Sequence, residues 1–281
     1  MWTMPTLEPI VAAEPGWRAR LELEFRQRGG ATFLARRGHV GPLLVQRPFF
    51  PEPNVCHVYV VHPPGGIVGG DDLTIQVRTL AGAHALVTTP AATKFYRCER
   101  KEAIQRQHLA VGAAAFEWLP QETIFYPGAA ARSETIVRLQ SDSRFIGWEM
   151  PCLGLPARGE RFDRGRLSLD LELWIDEEPR LIERLRLEGA SPARSARWGF
   201  AGHEAIGTLL AYPANAALLA AVRALSSEGL EVAATCVDEV LVCRCLGAQG
   251  EQVKRTLIAA WQSIRPLVLG RGAVSPRIWA T

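Results

Sequence analysis

The sequence is poor in lysine, and this bears on the partners that the protein can bind. Lys94, Lys101 and Lys254 are its only lysines among 32 basic residues, so the other 29 are arginines. The arginines are spread along the chain among 29 acidic residues, which leaves a net charge of +3. A nucleic-acid-binding protein gathers its basic residues in a patch or stripe, and none is visible here. We therefore expect no nucleic-acid partner.

Long apolar runs are also absent. No stretch approaches the roughly 18 apolar residues that a membrane-spanning helix requires. The first 16 residues include Glu8 and Glu14 and lack the apolar segment of a signal peptide. The 6 cysteines are irregularly spaced, and a chain of 281 residues does not depend on disulfides for its stability. We expect a cytoplasmic protein with reduced thiols and no membrane association.

The sequence does contain a long succession of short β-strand patterns. Residues 17–26 alternate between apolar side chains, from Trp17 to Phe25, and charged ones. Such alternation is typical of a strand with one face in solvent. Similar segments recur roughly every ten residues as far as Ile175, which favours an all-β architecture over βαβ units. The spacing predicts a mainly β fold, with many short strands in coiled, helical or sandwich-like sheets.

The C-terminal part has a different pattern. Apolar residues recur at helical spacing over 214–226 and 252–267, and two strand-like segments, 232–236 and 240–245, lie between them. These segments predict two C-terminal α-helices in a small α/β element. Because no long linker or low-complexity segment interrupts the sequence, we expect a single domain over 1–281. It would consist of a β-rich body at 15–210 and an α/β closing element at 211–281.

A proline- and glycine-rich run from His62 to Asp71 is the most distinctive segment. Its composition excludes a helix interior and predicts a shaped loop between two strands. A phosphate-binding loop would need Gly-x-x-x-x-Gly-Lys, or Gly-x-Gly-x-x-Gly at the start of a helix. Neither pattern is present, and the carboxylates of Asp71 and Asp72 would repel phosphate. The run does not predict nucleotide binding.

The same run closely resembles the signature of the urease accessory protein UreD (UreH) family. Three further segments resemble that family in the same order, namely Thr88–Arg97, Trp118–Ile124 and Phe125–Ala129. Gly154–Glu160 is a looser match. The resemblance covers residues 15–210 well and the C-terminal part weakly.

The resemblance implies a non-enzymatic factor for urease maturation. Members of the family act as scaffolds or chaperones that bind apo-urease and the partner UreF, with the GTPase UreG docking through UreF. The expected state is therefore a hetero-oligomer, with a dimer of such complexes as one form. The family is also associated with nickel insertion through an internal passage lined by carboxylates. We accordingly expect no tightly bound cofactor, and nickel(II) in transit.

Three carboxylates are candidates for that passage: Asp71, Glu149 and Glu183. Strand parity places Glu183 on an apolar face, and Glu149 lies in a segment that is apolar on both faces. A carboxylate in such a position is costly unless it is paired, hydrated or bound to a cation. Carboxylate and water ligands suit an ion that must later be released. An arginine partner for each carboxylate is the alternative interpretation.

The family-like segments supply a second set of candidates, which act either in partner binding or as structural motifs. Exposed aromatic and arginine side chains dominate protein interfaces, whereas packing of the aromatic residues across strands is the alternative. The set is His62, Gly65, Gly66, Gly69, Gly70, Asp72, Thr93, Lys94, Phe95, Tyr96, Arg97, Gln121 and Glu122.

Other kinds of site have weaker support. The histidines form no His-x-x-x-His pair, and Cys243 and Cys245, with Cys236 nearby, fit core packing better than a thiolate metal site. A β-scaffold hydrolase or lyase could use a carboxylate pair such as Asp71 and Glu149, but no nucleophile elbow or triad order accompanies them. A binding module without a metal role is the third alternative.

Overall fold

A computed structural model describes residues 16–98, 101–225 and 229–280. The strands of this part of the chain are β1 (Arg18–Arg28), β2 (Ala31–Val40), β3 (Leu44–Val45), β4 (Cys56–Val61), β5 (Asp72–Thr79), β6 (His84–Thr88), β7 (Thr93–Phe95), β8 (Ala103–Val111), β9 (Ala115–Leu119), β10 (Thr123–Phe125), β11 (Ala130–Leu139), β12 (Arg144–Glu149), β13 (Pro151–Leu153), β14 (Arg166–Ile175), β15 (Glu178–Glu188), β16 (Ala205–Tyr212), β17 (Glu231–Val237) and β18 (Val240–Gly247). The helices are α1 (Ala216–Arg223) and α2 (Gly250–Leu269).

Successive strands β5 to β14 wind into a coil with three sides. Strands β5, β8, β11 and β14 form the first side, β6, β9 and β12 the second, and β7, β10 and β13 the third. Neighbouring strands on every side are parallel, because each turn of the coil brings the chain back in the same direction. The predicted mainly β fold with coiled sheets of many short strands is confirmed.

Additional strands cover the edges of this coil. β1 pairs in parallel with β5 and β2 lies antiparallel outside β1, while β15 lies antiparallel outside β14. In β1 the residues Ala19, Leu21, Leu23 and Phe25 are buried, as the alternation predicts. Trp17 precedes the strand and is 54% exposed. The prediction that Trp17 lies on the buried face of the strand was wrong. Strand β1, and with it the alternation of buried and exposed side chains, begins only at Arg18.

The second side of the coil is buried on both faces. Its inner face contributes Phe116 and Trp118 to the core inside the coil, whereas Trp148 on its outer face packs with α2. Helix α2 places Leu257, Trp261 and Ile264 in that outer core. Burial on both faces explains why these strands are apolar at consecutive positions instead of alternating. The two predicted C-terminal helices are confirmed.

Strand β16 joins the second and third sides, because it pairs with β12 and also with β13. On its other edge it pairs with β18, which in turn pairs with β17. The α/β element is therefore continuous with the sheet of the coil. No helix in the described ranges is both long enough and apolar enough to cross a membrane.

Candidate functional site

Three adjoining cavities in the coil form the candidate site, which we call the passage. Their volumes are about 300, 40 and 490 Å³. The first and second share wall residues that include Thr93 and Gln105, and the second and third share Glu149, Pro151 and Leu169. Because each cavity shares wall residues with the next, the three adjoin one another in series.

The central cavity is narrow, and its wall combines apolar side chains with several polar ones. Gln105 and Gln107 of β8 point into the coil and are 6% and 8% exposed, and Ser133 of β11 lies beside them. The Thr135 hydroxyl donates a hydrogen bond to Gln107 Oε1 over 3.0 Å. These polar side chains provide hydrogen-bonding groups for water in an otherwise apolar interior. Sequence analysis missed the two glutamines, although the alternation of β8 places them on its apolar face.

Glu149 lies where the central and the largest cavities meet. It is the last residue of β12, shares its strand face with Phe145 and Gly147, and is partly buried. Within the described ranges no basic side chain pairs with it. Burial raises the pKa of Glu149 to about 7; a hydrogen bond with Thr135 opposes this shift, and the nearby Glu183 carboxylate adds to it. The group therefore exchanges its proton near neutral pH.

Glu183 lines the largest cavity together with Glu149, but its charge is already matched. Its carboxylate accepts a hydrogen bond from the Arg244 guanidinium, which also faces this cavity. Arg244 lies between Cys243 and Cys245 on β18, and those two side chains point the other way, into the core under α2. The arginine partner considered as the alternative for Glu183 is therefore present.

Asp71 is not part of this wall. It is 4% exposed, and its two carboxylate oxygens accept hydrogen bonds from the backbone N–H groups of Trp17, over 2.8 Å, and Val68, over 3.0 Å. It is absent from the walls of the three cavities of the passage. The structure thus brings Glu149 and Glu183 together without Asp71, whose role in metal passage stays a prediction. Asp72, its neighbour, pairs with Arg106.

The glycine-rich run from His62 to Asp71 packs against the family-like segment Thr88–Arg97. The Ile67 N–H donates to the Lys94 carbonyl over 2.7 Å, and a Cβ on Gly66 would come within 2.0 Å of the Tyr96 ring. A Cβ on Gly69 would meet Cys98 Cβ at 2.7 Å. Gly65 and Gly70 have positive φ angles of 76° and 95°. The two segments therefore depend on each other sterically.

The remaining motif residues fall into two groups. Phe95 is fully buried and stacks on Phe125 at 5.0 Å between ring centroids, and Gln121 is 6% exposed. Phe95 thus packs across strands, which was the alternative interpretation. Because Phe95 and Gln121 are both buried, neither is available as an exposed anchor for a partner. Lys94, Tyr96 and Glu122 are partly buried, whereas Arg97 is exposed.

His62 and Thr93 lie at the other end of the passage, on the wall of the 300 Å³ cavity. His62 Nε2 is buried and has no hydrogen-bond partner in the part of the chain that the structure describes. Burial lowers the pKa of His62, against the opposing effect of the Asp71 carboxylate. A neutral imidazole with a free nitrogen is a competent ligand for a divalent transition metal.

A buried ionic cluster under α2 was missed by sequence analysis. Arg265 is fully buried and pairs with Glu117 and Glu52, at 3.0 Å and 2.6 Å. His84 lies 2.8 Å from Glu117, and His57 lies 3.0 Å from Glu52. Although burial acts against ionisation, the hydrogen bonds and charges of His57 and Arg265 lower the pKa of Glu52 to about 2. This cluster fixes α2 on the coil and is not on the wall of the passage.

The two cysteines considered as a thiolate site lie in the core under α2. Cys243 and Cys245 are fully buried, and burial raises their pKa values to about 11 and about 12. Cys236 is free and partly buried. Within the described ranges, no three histidine, cysteine or acidic side chains are grouped so that they could hold a metal ion.

Comparison with known proteins identifies a family. The model of the UreD urease accessory protein family matches residues 18–280. A urease accessory protein UreD of Klebsiella pneumoniae subsp. pneumoniae is 47% identical over 268 residues, which are 95% of this chain and 96% of the relative. Another of that name, from Pseudomonas entomophila, is 47% identical over 272 residues, 96% of each chain. A third, from Alkalilimnicola ehrlichii, is 46% identical over 282 residues, covering 99% of this chain and 95% of the relative.

Proposed function

The chain belongs to the UreD family of urease accessory proteins, and we propose that it acts in urease maturation as a scaffold for nickel insertion. In this proposal it binds apo-urease and UreF, and UreG joins through UreF. Nickel(II) is the cargo, and the protein does not retain it as a cofactor. Beyond family membership, the observation that supports the proposal is the position of Glu149, which is unpaired within the described ranges and lies where two cavities of the passage meet.

The chemistry of the wall suits an ion in transit. His62 at one end offers an imidazole nitrogen, the glutamine amides of the narrow part offer neutral oxygens, and Glu149 and Glu183 at the other end offer carboxylates. These ligands are spread along the passage and are not gathered around one point. An ion moving among them exchanges one weak site for the next, whereas a thiolate cluster would bind it too tightly for release.

Arg244 has a defined part in this proposal. Its guanidinium already neutralises Glu183, so an arriving cation competes with it for that carboxylate. Glu149 needs only to lose a proton, and its pKa of about 7 makes that loss easy at neutral pH. Glu149 is therefore the carboxylate that first accepts the cation, and the Glu183–Arg244 pair limits how strongly the cavity holds it.

The alternative of a hydrolase or lyase gains no support from the geometry. It would require Asp71 and Glu149 to face one substrate, but Asp71 binds two backbone N–H groups and does not line the cavity of Glu149. General acid–base work needs both groups within hydrogen-bonding reach of the same reacting centre. We retain the scaffold proposal.

Co-expression tests this proposed function. The chain is expressed with apo-urease subunits and UreF, with and without UreG, and complexes are isolated by pull-down before nickel-dependent urease activity is measured. We expect the chain to co-purify with apo-urease and UreF, and activation to be lost when the chain is omitted. Normal activation without the chain, or failure to associate with either partner, would contradict the proposal.

A further inference from the structure

A second concavity lies at a different corner of the coil and has the character of an anion site. It has a volume of about 450 Å³ and shares no wall residue with the three cavities of the passage. We call it the arginine cleft. Its wall is formed by Arg97, Cys98, Gly128, Ala130, Arg164, Gly165, Arg166 and Glu188.

Backbone hydrogen bonds join the segments that carry the three arginines to the turn at Gly128 and Ala129. The Cys98 N–H donates to the Gly128 carbonyl over 3.1 Å, and the Gly128 N–H donates to the Arg164 carbonyl over 2.8 Å. The Arg166 N–H donates to the Ala129 carbonyl over 2.9 Å. Because these bonds join chain segments that are distant in sequence, the fold itself fixes the positions from which the arginine side chains extend.

A glycine lets two of these side chains approach the same point. Gly128 has a positive φ of 85°, and a Cβ built on it would lie 2.8 Å from Arg97 Cγ and 3.6 Å from Arg164 Nε. The two arginine side chains therefore pass over the same bare stretch of backbone. A larger residue at Gly128 would force them apart, so the glycine keeps the cleft open to both.

Among the described residues, the positive charges in the cleft outnumber the negative ones. Within the described ranges neither Arg97 nor Arg166 has an ion pair or a guanidinium hydrogen bond. The one ion pair of Arg164 in the described part of the chain is an exposed and long one with Asp163, at 3.8 Å. Several other arginines of this chain are held closely by carboxylates, as in the 2.6 Å pair of Arg186 with Asp170. Of the described residues that form the wall, three are arginines and one, Glu188, is a carboxylate.

We propose that the arginine cleft binds a small phosphate-type oxyanion. Like charges held close together with too few counter-ions repel one another, and a bound anion reduces that repulsion. The planar guanidinium group donates in a fork that matches phosphate oxygens, and several such groups converging from different segments suit a group with oxygens in several directions. This site is separate from the nickel passage and does not depend on it.

Titration of inorganic phosphate into the full chain tests the proposal, at constant ionic strength maintained with chloride and followed by calorimetry. We expect saturable binding to the unmodified chain. Replacing Arg97→Gln, Arg164→Gln or Arg166→Gln should weaken it about tenfold each, as expected for the loss of a charge-assisted hydrogen bond. Arg97→Lys keeps the charge but not the fork, and should also weaken binding.

Arg158→Gln is the matched control, because Arg158 is exposed, has no ion pair within the described ranges and does not line the cleft. We expect this variant to bind phosphate like the unmodified chain. Circular dichroism melting identifies variants that fail to fold, and those are replaced by the corresponding Arg→Lys variant. No saturable binding, equal weakening by Arg158→Gln, or binding of acetate as tight as that of phosphate would each overturn the proposal.

Discussion

Glu149 and Glu183 face the same 490 Å³ cavity, but only Glu183 has a cationic partner in the described part of the chain. The Arg244 guanidinium neutralises Glu183, whereas Glu149 lies partly buried with a pKa raised to about 7. Two glutamates on the wall of one cavity thus have different ionisation states at neutral pH. One carboxylate is committed to an arginine, and the other is divided between its protonated and ionised forms.

Nickel(II) binding to the full chain should therefore depend on pH. Glu149 is mostly protonated at pH 6 and mostly ionised at pH 8, so its share of the affinity should rise by about tenfold between these values. Calorimetric titration with a nickel salt at both values measures the difference. Glu149→Gln is the control, and it should reduce this rise. An identical pH dependence in the variant would show that Glu149 takes no part.

The free energy of unfolding should respond to the same substitution. The pKa of Glu149 is higher in the folded chain than the ordinary value of 4.5. The stability that this raised pKa gives to the folded chain is therefore fully present below pH 4.5, and it is lost as the pH rises through 7. Glu149→Gln stays neutral throughout, and we expect it to be more stable than the unmodified chain by about 1–3 kcal/mol at pH 8 and nearly equal to it at pH 4.5. Urea denaturation at both pH values, with the exposed Glu251→Gln as control, checks this.

Arg244→Gln should strengthen nickel binding. Removing the guanidinium frees the Glu183 carboxylate, so a cation entering the cavity no longer has to displace a tethered positive charge. We expect the dissociation constant for nickel(II) to fall severalfold at pH 8. Arg255→Gln breaks an exposed pair with Glu251 and should leave binding unchanged. Weaker binding in Arg244→Gln would mean that Arg244 organises the cavity and does not compete with the ion.

The ionic cluster under α2 makes a separate prediction about stability. Arg265→Met leaves Glu117 and Glu52 buried without their cation, and breaking a buried pair in this way costs about 3–5 kcal/mol. Arg255→Met, on the exposed side of the same helix, should cost less than about 1 kcal/mol. Guanidinium denaturation of both variants compares the two. Equal losses would show that Arg265 contributes no more than a surface arginine.

The contact between the two family-like segments can be tested at Gly66. A Cβ there would overlap the Tyr96 ring, so Gly66→Ala should displace the ring and lower the free energy of unfolding by about 1–3 kcal/mol. Gly272→Ala is the control, since nothing lies within 4 Å of the position of its Cβ. Thermal melting of both variants measures the effect, and an unchanged melting temperature for Gly66→Ala would contradict it.

Much of the fold could be predicted from local patterns. The alternation of β1 identified the faces of that strand from Ala19 to Phe25, and helical spacing identified both helices. Strands β10 and β13 were missed because three residues are too few to show a period. β16 was missed because burial on both faces removes the alternation on which such predictions rest.

The site was harder to predict than the fold. The strand parity that placed Glu183 on an apolar face could not show that Arg244, 61 residues further along, would reach it. In the same way Arg265 and Glu117 are 148 residues apart and meet only because α2 covers β9. Asp71 was a reasonable candidate as a carboxylate beside a glycine loop, yet its contacts are with backbone N–H groups. Long-range pairing of charges is set by topology, which local sequence does not contain.

The most direct test of the central claim is urease activation by the Glu149→Gln variant, with complex formation measured in the same cells. The chain is co-expressed with apo-urease, UreF and UreG, and nickel content and activity of the isolated urease are determined. We expect the variant to co-purify with its partners like the unmodified chain, but to give urease with severalfold less nickel and activity. Full nickel content and full activity with an intact complex would contradict the assignment of Glu149 to the nickel passage.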